Sequence, residues 1–119
     1  MIYDTTALIQ TIRKGEDFDE GSISVITMIE FLRGIDNEEK RRKSIALIEE
    51  SFDILNITKE VSLSYLKLYF ELKKKGQIVP DADALIAAAA HCMNETLLTL
   101  DNDFKKFEPM IKVKMLQKE

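Results

Sequence analysis

Short β-branched segments alternate along the chain with segments that carry apolar residues at helical spacing, and this alternation limits the fold most strongly. The predicted strands cover residues 1–4, 22–27, 52–57, 96–100 and 111–116. The predicted helices cover residues 5–15, 28–35, 38–52, 59–76 and 81–93, and a short one covers 101–107. Strands that alternate with helices form a parallel sheet with both faces covered. We therefore predict an α/β fold.

The size and composition of the chain fit one domain over residues 1–119. Apolar residues make up 45% of the 119 residues, and only four glycines and two prolines interrupt them. We find no internal repeat and no linker, so we expect a single core. The single cysteine, Cys92, excludes an internal disulfide and indicates the reducing cytoplasm.

Several classes of function receive no support from the sequence. The first ten residues have neither a basic cluster nor a long apolar run, so we expect no signal peptide. No segment approaches the ~18 apolar residues of a membrane helix. The formal charge is −4, which is not the basic character of many nucleic-acid-binding proteins. Positive charge is concentrated in two basic clusters, residues 40–43 and 73–75, which we interpret first as solvated helix faces.

Acidic residues follow the predicted strands or begin the helix that precedes a strand. In open α/β sheets, ligands bind outside the carboxyl ends of the strands, near the point where the strand order reverses. Residues from distant parts of the sequence would therefore meet at one edge of the sheet. These residues are Asp4, Glu30, Asp81, Asp83, Asp101 and Asp103.

Each of these acids also has a structural explanation. Thr27 and Glu30 have the spacing of a capping box, in which Glu30 would bond back to the Thr27 backbone N–H. Asp4, Asp81 and Asp101 each stand where a helix N-cap is expected. Capping, however, does not require the caps to converge on one place. Taken one by one these residues can be caps, and taken together they indicate a shared site.

Four or more carboxylates at one edge of a sheet would repel one another and would have raised pKa values. Arg33 is the one cation within these motifs. A divalent cation is the natural compensation, and all-oxygen ligands favour Mg²⁺ or Mn²⁺ over zinc or copper. Such sites support phosphoryl chemistry, because they lower the pKa of a bound water and stabilise the leaving oxygen.

Four short motifs resemble the PIN-domain family, in its VapC-like toxin branch. The motifs are YDTTALI at 3–9, TMIEFLRG at 27–34, DADALIAAAA at 81–90 and LLTLDNDF at 97–104. The resemblance implies a three-layer α/β/α fold with a central, mostly parallel sheet of four to five strands. It also implies a metal-dependent endoribonuclease that uses Mg²⁺ or Mn²⁺.

The resemblance assigns roles to individual residues. Asp4, Glu30 and Asp83 match the first three acids of the family's site, and Asp101 or Asp103 matches the fourth. Metal ligation is assigned to Asp4, Asp83, Asp101 and Asp103. The accessory residues are Thr5, Asp81 and Thr99.

The resemblance also implies partners. These are an RNA substrate, a cognate antitoxin that is a small DNA-binding protein, and a second copy of the chain. A homodimer would supply positive edges from residues 40–43 or 73–75. Two alternatives remain open: a PIN nuclease of RNA processing or turnover, and a receiver-like module that binds Mg²⁺ without catalysis.

The other distinctive side chains have structural interpretations. His91 stands at the end of the alanine-rich helix away from the acids, so we expect a structural role for it. Phe104 and Phe107 are expected to hold the last short helix against the core. Tyr65 and Tyr69 share a helical face that could belong either to the core or to a dimer interface.

Overall fold

The computed structural model describes residues 1–15 and 20–118, and the strands of this part of the chain form one sheet. They are β1 (Ile2–Tyr3), β2 (Gly21–Ser24), β3 (Phe52–Leu55), β4 (Leu97–Thr99) and β5 (Val113–Met115). Their order is β3-β2-β1-β4-β5, and every neighbouring pair is parallel. The predicted α/β fold is confirmed. The strand order reverses between β1 and β4, so a ligand crevice is expected there.

Helices cover both faces of the sheet. They are α1 (Thr5–Lys14), α2 (Val25–Arg33), α3 (Glu38–Ser51), α4 (Lys59–Lys74) and α5 (Asp81–Met93), followed by a 3₁₀ helix at Asn102–Phe107. One core contains side chains of α4 and α5, and the other contains side chains of α1 and α3. This three-layer arrangement is the one that the motifs implied. Within the described ranges, none of the helices could span a bilayer.

Polar residues at the helix ends explain why these segments start and stop where they do. A side chain accepts a hydrogen bond from a first-turn backbone N–H at Asp4, Ser24, Asn37 and Thr58. Helices α1 and α5 end at residues in the left-handed conformation, Gly15 and Asn94. Such caps satisfy backbone groups that have no partner within the helix.

Helix α5 has the predicted bounds and buries its alanines. Ala84 and residues 87–90 are at most 2% exposed. Because these side chains are small, α5 packs closely against the sheet and α4. The prediction that Asp81 caps this helix is wrong: Pro80 is the N-cap residue and makes no side-chain cap bond. Asp81 instead accepts a 2.7 Å hydrogen bond from the Tyr65 hydroxyl.

Helix α2 starts earlier than predicted, and the predicted capping box is wrong. Strand β2 ends at Ser24, whose hydroxyl accepts a 3.1 Å bond from the Ile26 backbone N–H and so begins the helix. Thr27 therefore lies inside α2, where it is fully buried. Its hydroxyl has no hydrogen-bond partner in the part of the chain that the structure describes. The β-branched run looked like strand, but the capping serine and the packing of Ile26 against the core determine the helix.

The structure agrees with most of the structural interpretations. Phe104 and Phe107 are buried, and their ring centroids lie 5.9 Å apart. The Nδ1 atom of His91 lies 2.8 Å from the Ser64 hydroxyl, which joins α5 to α4. Tyr65 packs half-buried against the core.

Candidate active site

Four carboxylates line one pocket of about 240 Å³ at the carboxyl end of the sheet. Asp4 follows β1, Glu30 lies on α2, Asp83 is in the first turn of α5, and Asp101 follows β4. The pocket therefore lies at the reversal of strand order, as the positions of the acids in the sequence predicted.

Asp4 is the most deeply placed of these acids, with 2% of its surface exposed. Its Oδ1 accepts hydrogen bonds from the Thr6 hydroxyl at 2.7 Å and the Ala7 backbone N–H at 2.8 Å. Its Oδ2 accepts a hydrogen bond from the Thr99 hydroxyl. Burial raises the pKa of Asp4, the hydrogen bonds lower it, and repulsion from Asp101 raises it further. The net result is a raised pKa, so the ionised form lacks full compensation.

The hydrogen bonds of Asp4 continue into the loop after β4. The Thr99 hydroxyl accepts a 2.9 Å bond from the Asp101 backbone N–H, and the Thr6 hydroxyl accepts one of the same length from the Leu100 N–H. This loop is therefore fixed to the start of α1. The sequence predicted roles for Thr5 and Thr99 but not for Thr6. The two consecutive threonines directly after the strand-end acid were the signal that could have identified it.

Glu30 is held by Thr5, a residue that was predicted to have an accessory role. The Thr5 hydroxyl donates a 2.6 Å hydrogen bond to Glu30 Oε1. The Arg33 guanidinium lies 3.9 Å from Glu30 Oε2, and 73% of the Arg33 side chain is exposed. Because this pair is solvated, it compensates little of the negative charge in the pocket.

Asp83 is half-buried and accepts no hydrogen bond from residues 1–15 or 20–118. Burial is the main cause of its raised pKa, and repulsion from Asp101 and Glu30 raises the pKa further. Lys106 opposes this rise. Asp83 is therefore the acid of the pocket with the greatest need of a positive partner.

Of the remaining acids of the prediction, Asp101 lines the pocket, whereas Asp103 and Asp81 lie outside its lining. The Oδ1 atom of Asp101 accepts a 2.9 Å bond from the Asp103 backbone N–H, so Asp101 also caps the 3₁₀ helix as expected. The Asp103 side chain is exposed, although its charge still raises the pKa of Asp83. Asp81 is exposed and bonded to Tyr65.

The chemistry of these donors fits a hard divalent cation. All the candidate ligands are carboxylate or hydroxyl oxygens, which Mg²⁺ and Mn²⁺ prefer. Within the described ranges, no three acidic, histidine or cysteine side chains are grouped tightly enough to form a ready-made ion site. The fit therefore rests on two features: four carboxylates line one small pocket, and two of them have raised pKa values.

Comparisons with known proteins agree with this geometry. The PIN-domain family profile matches residues 1–108. Ribonuclease VapC1 of Methanocaldococcus jannaschii is 36% identical over 110 residues, which cover 91% of this chain and 79% of the relative.

Solved structures share the fold. The crystal structure of VapBC2 from Rickettsia felis bound to a promoter DNA fragment superposes with a TM-score of 0.82 at 25% identity, covering 98% of this chain and 100% of that one. VapBC-5 from Mycobacterium tuberculosis, a member of the VapBC family of toxin-antitoxin systems, gives 0.70 at 22% identity, with coverages of 98% and 96%. These matches exclude the receiver-like alternative, because the PIN-domain profile covers residues 1–108. The chain belongs to the PIN-domain family, in its VapC-like branch.

Proposed function

We propose that this protein is a metal-dependent endoribonuclease that cleaves RNA phosphodiester bonds with an activated water. The observation that carries the proposal is the pocket in which Asp4, Glu30, Asp83 and Asp101 meet. A relative with 36% identity carries the name ribonuclease. A water-based reaction also suits a site without histidine or lysine among its lining residues.

The residues that would hold Mg²⁺ or Mn²⁺ are Asp4, Asp83 and Asp101, with Asp103 able to approach from the rim. A bound divalent cation would lower the pKa of a water molecule and stabilise the negative charge on the leaving oxygen. The water oxygen attacks phosphorus, the bond from phosphorus to the leaving oxygen breaks, and a proton finally returns to that oxygen.

The protein's own side chains set the geometry for this reaction. Thr6 and Thr99 fix both oxygens of the Asp4 carboxylate, so that ligand cannot rotate away from the pocket. Thr5 donates a hydrogen bond to Oε1 of Glu30, while Oε2 lies 3.9 Å from the Arg33 guanidinium and can accept a proton from the water. Such hydrogen bonds to ligands typically change metal affinity or activity by about 10–100-fold.

The substitution Asp83→Asn tests the proposal against a matched control on the same helix, Asp81→Asn. Asn at position 83 keeps the shape but removes a charge from the pocket. We expect metal-dependent cleavage of RNA to fall by ~100-fold or more, since a metal site supplies several kcal/mol of transition-state stabilisation. Asp81→Asn should retain activity. Equal activity of wild type and Asp83→Asn would overturn the site assignment.

We also propose that the protein is the toxin of a toxin–antitoxin pair, acting in the cytoplasm as a single domain. The similarity to VapBC structures supports an antitoxin partner. Induced expression should arrest growth, and co-expression of a small DNA-binding protein encoded beside it should restore growth. Growth that continues while RNA is cleaved would favour the alternative, a nuclease of RNA processing or turnover.

The homodimer is a further part of the proposal, and α4 offers a surface for it. An apolar groove there is lined by Leu63, Leu66 and Phe70, each 44–53% exposed. Lys67 and Glu71 line the same groove one helical turn apart. Antiparallel pairing of two α4 helices about a twofold axis would bring Lys67 of each copy towards Glu71 of the other. Light scattering should give twice the chain mass, and Phe70→Glu should give a monomer.

A further inference from the structure

Both basic clusters of the sequence lie beside acidic or aromatic side chains of their own helices. In the cluster at 40–43, Arg42 and Lys43 form ion pairs of 3.7 Å with Glu38 and Glu39. These acids lie one turn away on the same helix, so the cluster presents mixed charge rather than a positive surface. None of its residues lines the acid pocket.

The second cluster is similar. Lys74 pairs with Glu71 at 3.4 Å, and the ammonium of Lys73 lies 5.8 Å from the centre of the Tyr69 ring. An enzyme with a formal charge of −4 and four carboxylates in its pocket repels an RNA backbone. Beyond the proposed metal ion, a side-chain cation close to the pocket would reduce this repulsion.

Lys106 is placed to do so. It lies on the 3₁₀ helix after β4, half-buried, and its Nζ is 3.5 Å from the backbone carbonyl of Ile78, just before α5. Its charge acts on Asp83. Across the described ranges, no carboxylate lies within 4.0 Å of its ammonium. Lys106 does not line the pocket itself, and its ammonium retains donors and charge for an anion outside the pocket on the side of Asp83.

Arg33 occupies the other side of the pocket. It ends α2, lines the pocket and remains mostly exposed despite its contact with Glu30. Strands β2 and β4 are the two neighbours of β1 in the sheet. The segments that follow them, α2 and the 3₁₀ helix, therefore begin on opposite sides of Asp4. One cation is thus available on each flank of the carboxylates.

We propose that Lys106 and Arg33 bind the phosphates on either side of the attacked phosphodiester, so that a single RNA strand crosses the end of β1 between them. This inference rests on the proposed ribonuclease function. Arg33 offers a planar, forked donor, and Lys106 offers a point charge, and both are common phosphate ligands. Each contact should contribute about 0.7 to the slope of log affinity against log salt for single-stranded RNA.

The test measures binding rather than cleavage. A fluorescently labelled single-stranded RNA of mixed sequence is titrated with the full-length protein in Ca²⁺ instead of Mg²⁺, over a series of salt concentrations. Lys106→Gln should weaken binding roughly tenfold and flatten the salt slope by about 0.7. Lys105→Gln is the matched control, because Lys105 is the exposed neighbour on the same 3₁₀ helix. Arg33→Gln should resemble Lys106→Gln, and thermal melting verifies that each variant is folded.

The outcomes separate this inference from the function on which it rests. If Lys106→Gln and Lys105→Gln bind RNA with the wild-type slope, Lys106 is only a counter-charge for Asp83 and the inference is wrong. A wild type that does not bind the RNA also overturns it. If the slopes change as expected but no metal supports cleavage, the phosphate contacts stand and the proposed ribonuclease activity fails.

Discussion

The two walls of the acid pocket differ in how they hold their carboxylates. On the strand wall, Asp4 and Asp101 are tied by hydrogen bonds to Thr6, Thr99 and the backbone. On the helix wall, Asp83 accepts no hydrogen bond in the part of the chain that the structure describes. Both Asp4 and Asp83 have raised pKa values, mainly because of burial.

This difference indicates a division of roles. The strand wall has a fixed geometry that is formed during folding, since its bonds join β1, β4 and α1. The helix wall supplies a charge that the positive charge of Lys106 only partly offsets, because the pKa of Asp83 remains raised. Binding an ion would therefore stabilise Asp83 most, while the direction of the Asp4 carboxylate is set beforehand.

Among the variants that test this difference between the walls, the largest loss of activity and stability is expected from removing a hydroxyl of the strand wall. Thr99→Val deletes the donor to Asp4 and the acceptor for the Asp101 N–H. Activity should fall by about 10–100-fold, and stability by about 1–3 kcal/mol, because buried polar groups lose their partners. Cleavage assays and urea denaturation measure the two effects.

Thr27→Val is the matched control for that variant. Thr27 is equally buried, but its hydroxyl has no partner among the described residues. Replacing this hydroxyl with a methyl group should leave activity unchanged and raise stability by about 1 kcal/mol. Equal losses in the two threonine variants would show that the strand wall has no special role.

A smaller change in stability is expected when the pH is varied in EDTA, where no divalent cation is bound. The pKa values of Asp4 and Asp83 are both higher in the folded chain than the ordinary carboxylate value. At a pH between the ordinary and the raised pKa, the folded chain therefore binds more protons than the unfolded chain. Stability should therefore rise as the pH falls through that window and level off below it. Thermal melting should show a weaker rise in Asp83→Asn than in Asp81→Asn, and Mg²⁺ should reduce the rise in wild type.

The smallest effect is expected outside the pocket. Tyr65→Phe removes the hydrogen bond to Asp81, which lies at the exposed start of α5. Stability should change by no more than ~0.5 kcal/mol, and cleavage should be unaffected. The bond to Asp81 is the main cause of the raised pKa of Tyr65, so ultraviolet titration should show a lower tyrosine pKa in Asp81→Asn. A large loss of cleavage in Tyr65→Phe would extend the active site to Asp81.

The sequence predicted the parts of the fold and site that depend on regular geometry. Parallel strands bring their carboxyl ends to one edge, so the meeting of Asp4 and Asp101 followed from their positions after strands. The alanine run gave the bounds of α5, because a helix without bulky side chains can be fully buried. The catalytic and ligand roles of these acids remain predictions.

The sequence could not predict features for which two neighbouring side chains were equally suited to the same position. Ser24 and Thr27 are both good caps, and which one starts α2 depends on how Ile26 packs into the core. The placement of Lys106 beside Asp83 depends on the turn of the 3₁₀ helix after β4, and the spacing of 23 residues between them gives no signal. Thr6 was missed because either of two adjacent threonines could have faced the carboxylate.

The most direct test of the central claim is cleavage of total RNA by wild type and Asp4→Asn in Mg²⁺, in Mn²⁺ and in EDTA. Asn at position 4 keeps the shape of the fixed ligand and removes its charge. We expect cleavage at discrete positions by wild type with either metal, none in EDTA, and none by Asp4→Asn in any buffer. Cleavage that persists in EDTA, or in Asp4→Asn, would contradict the metal-binding role of the pocket.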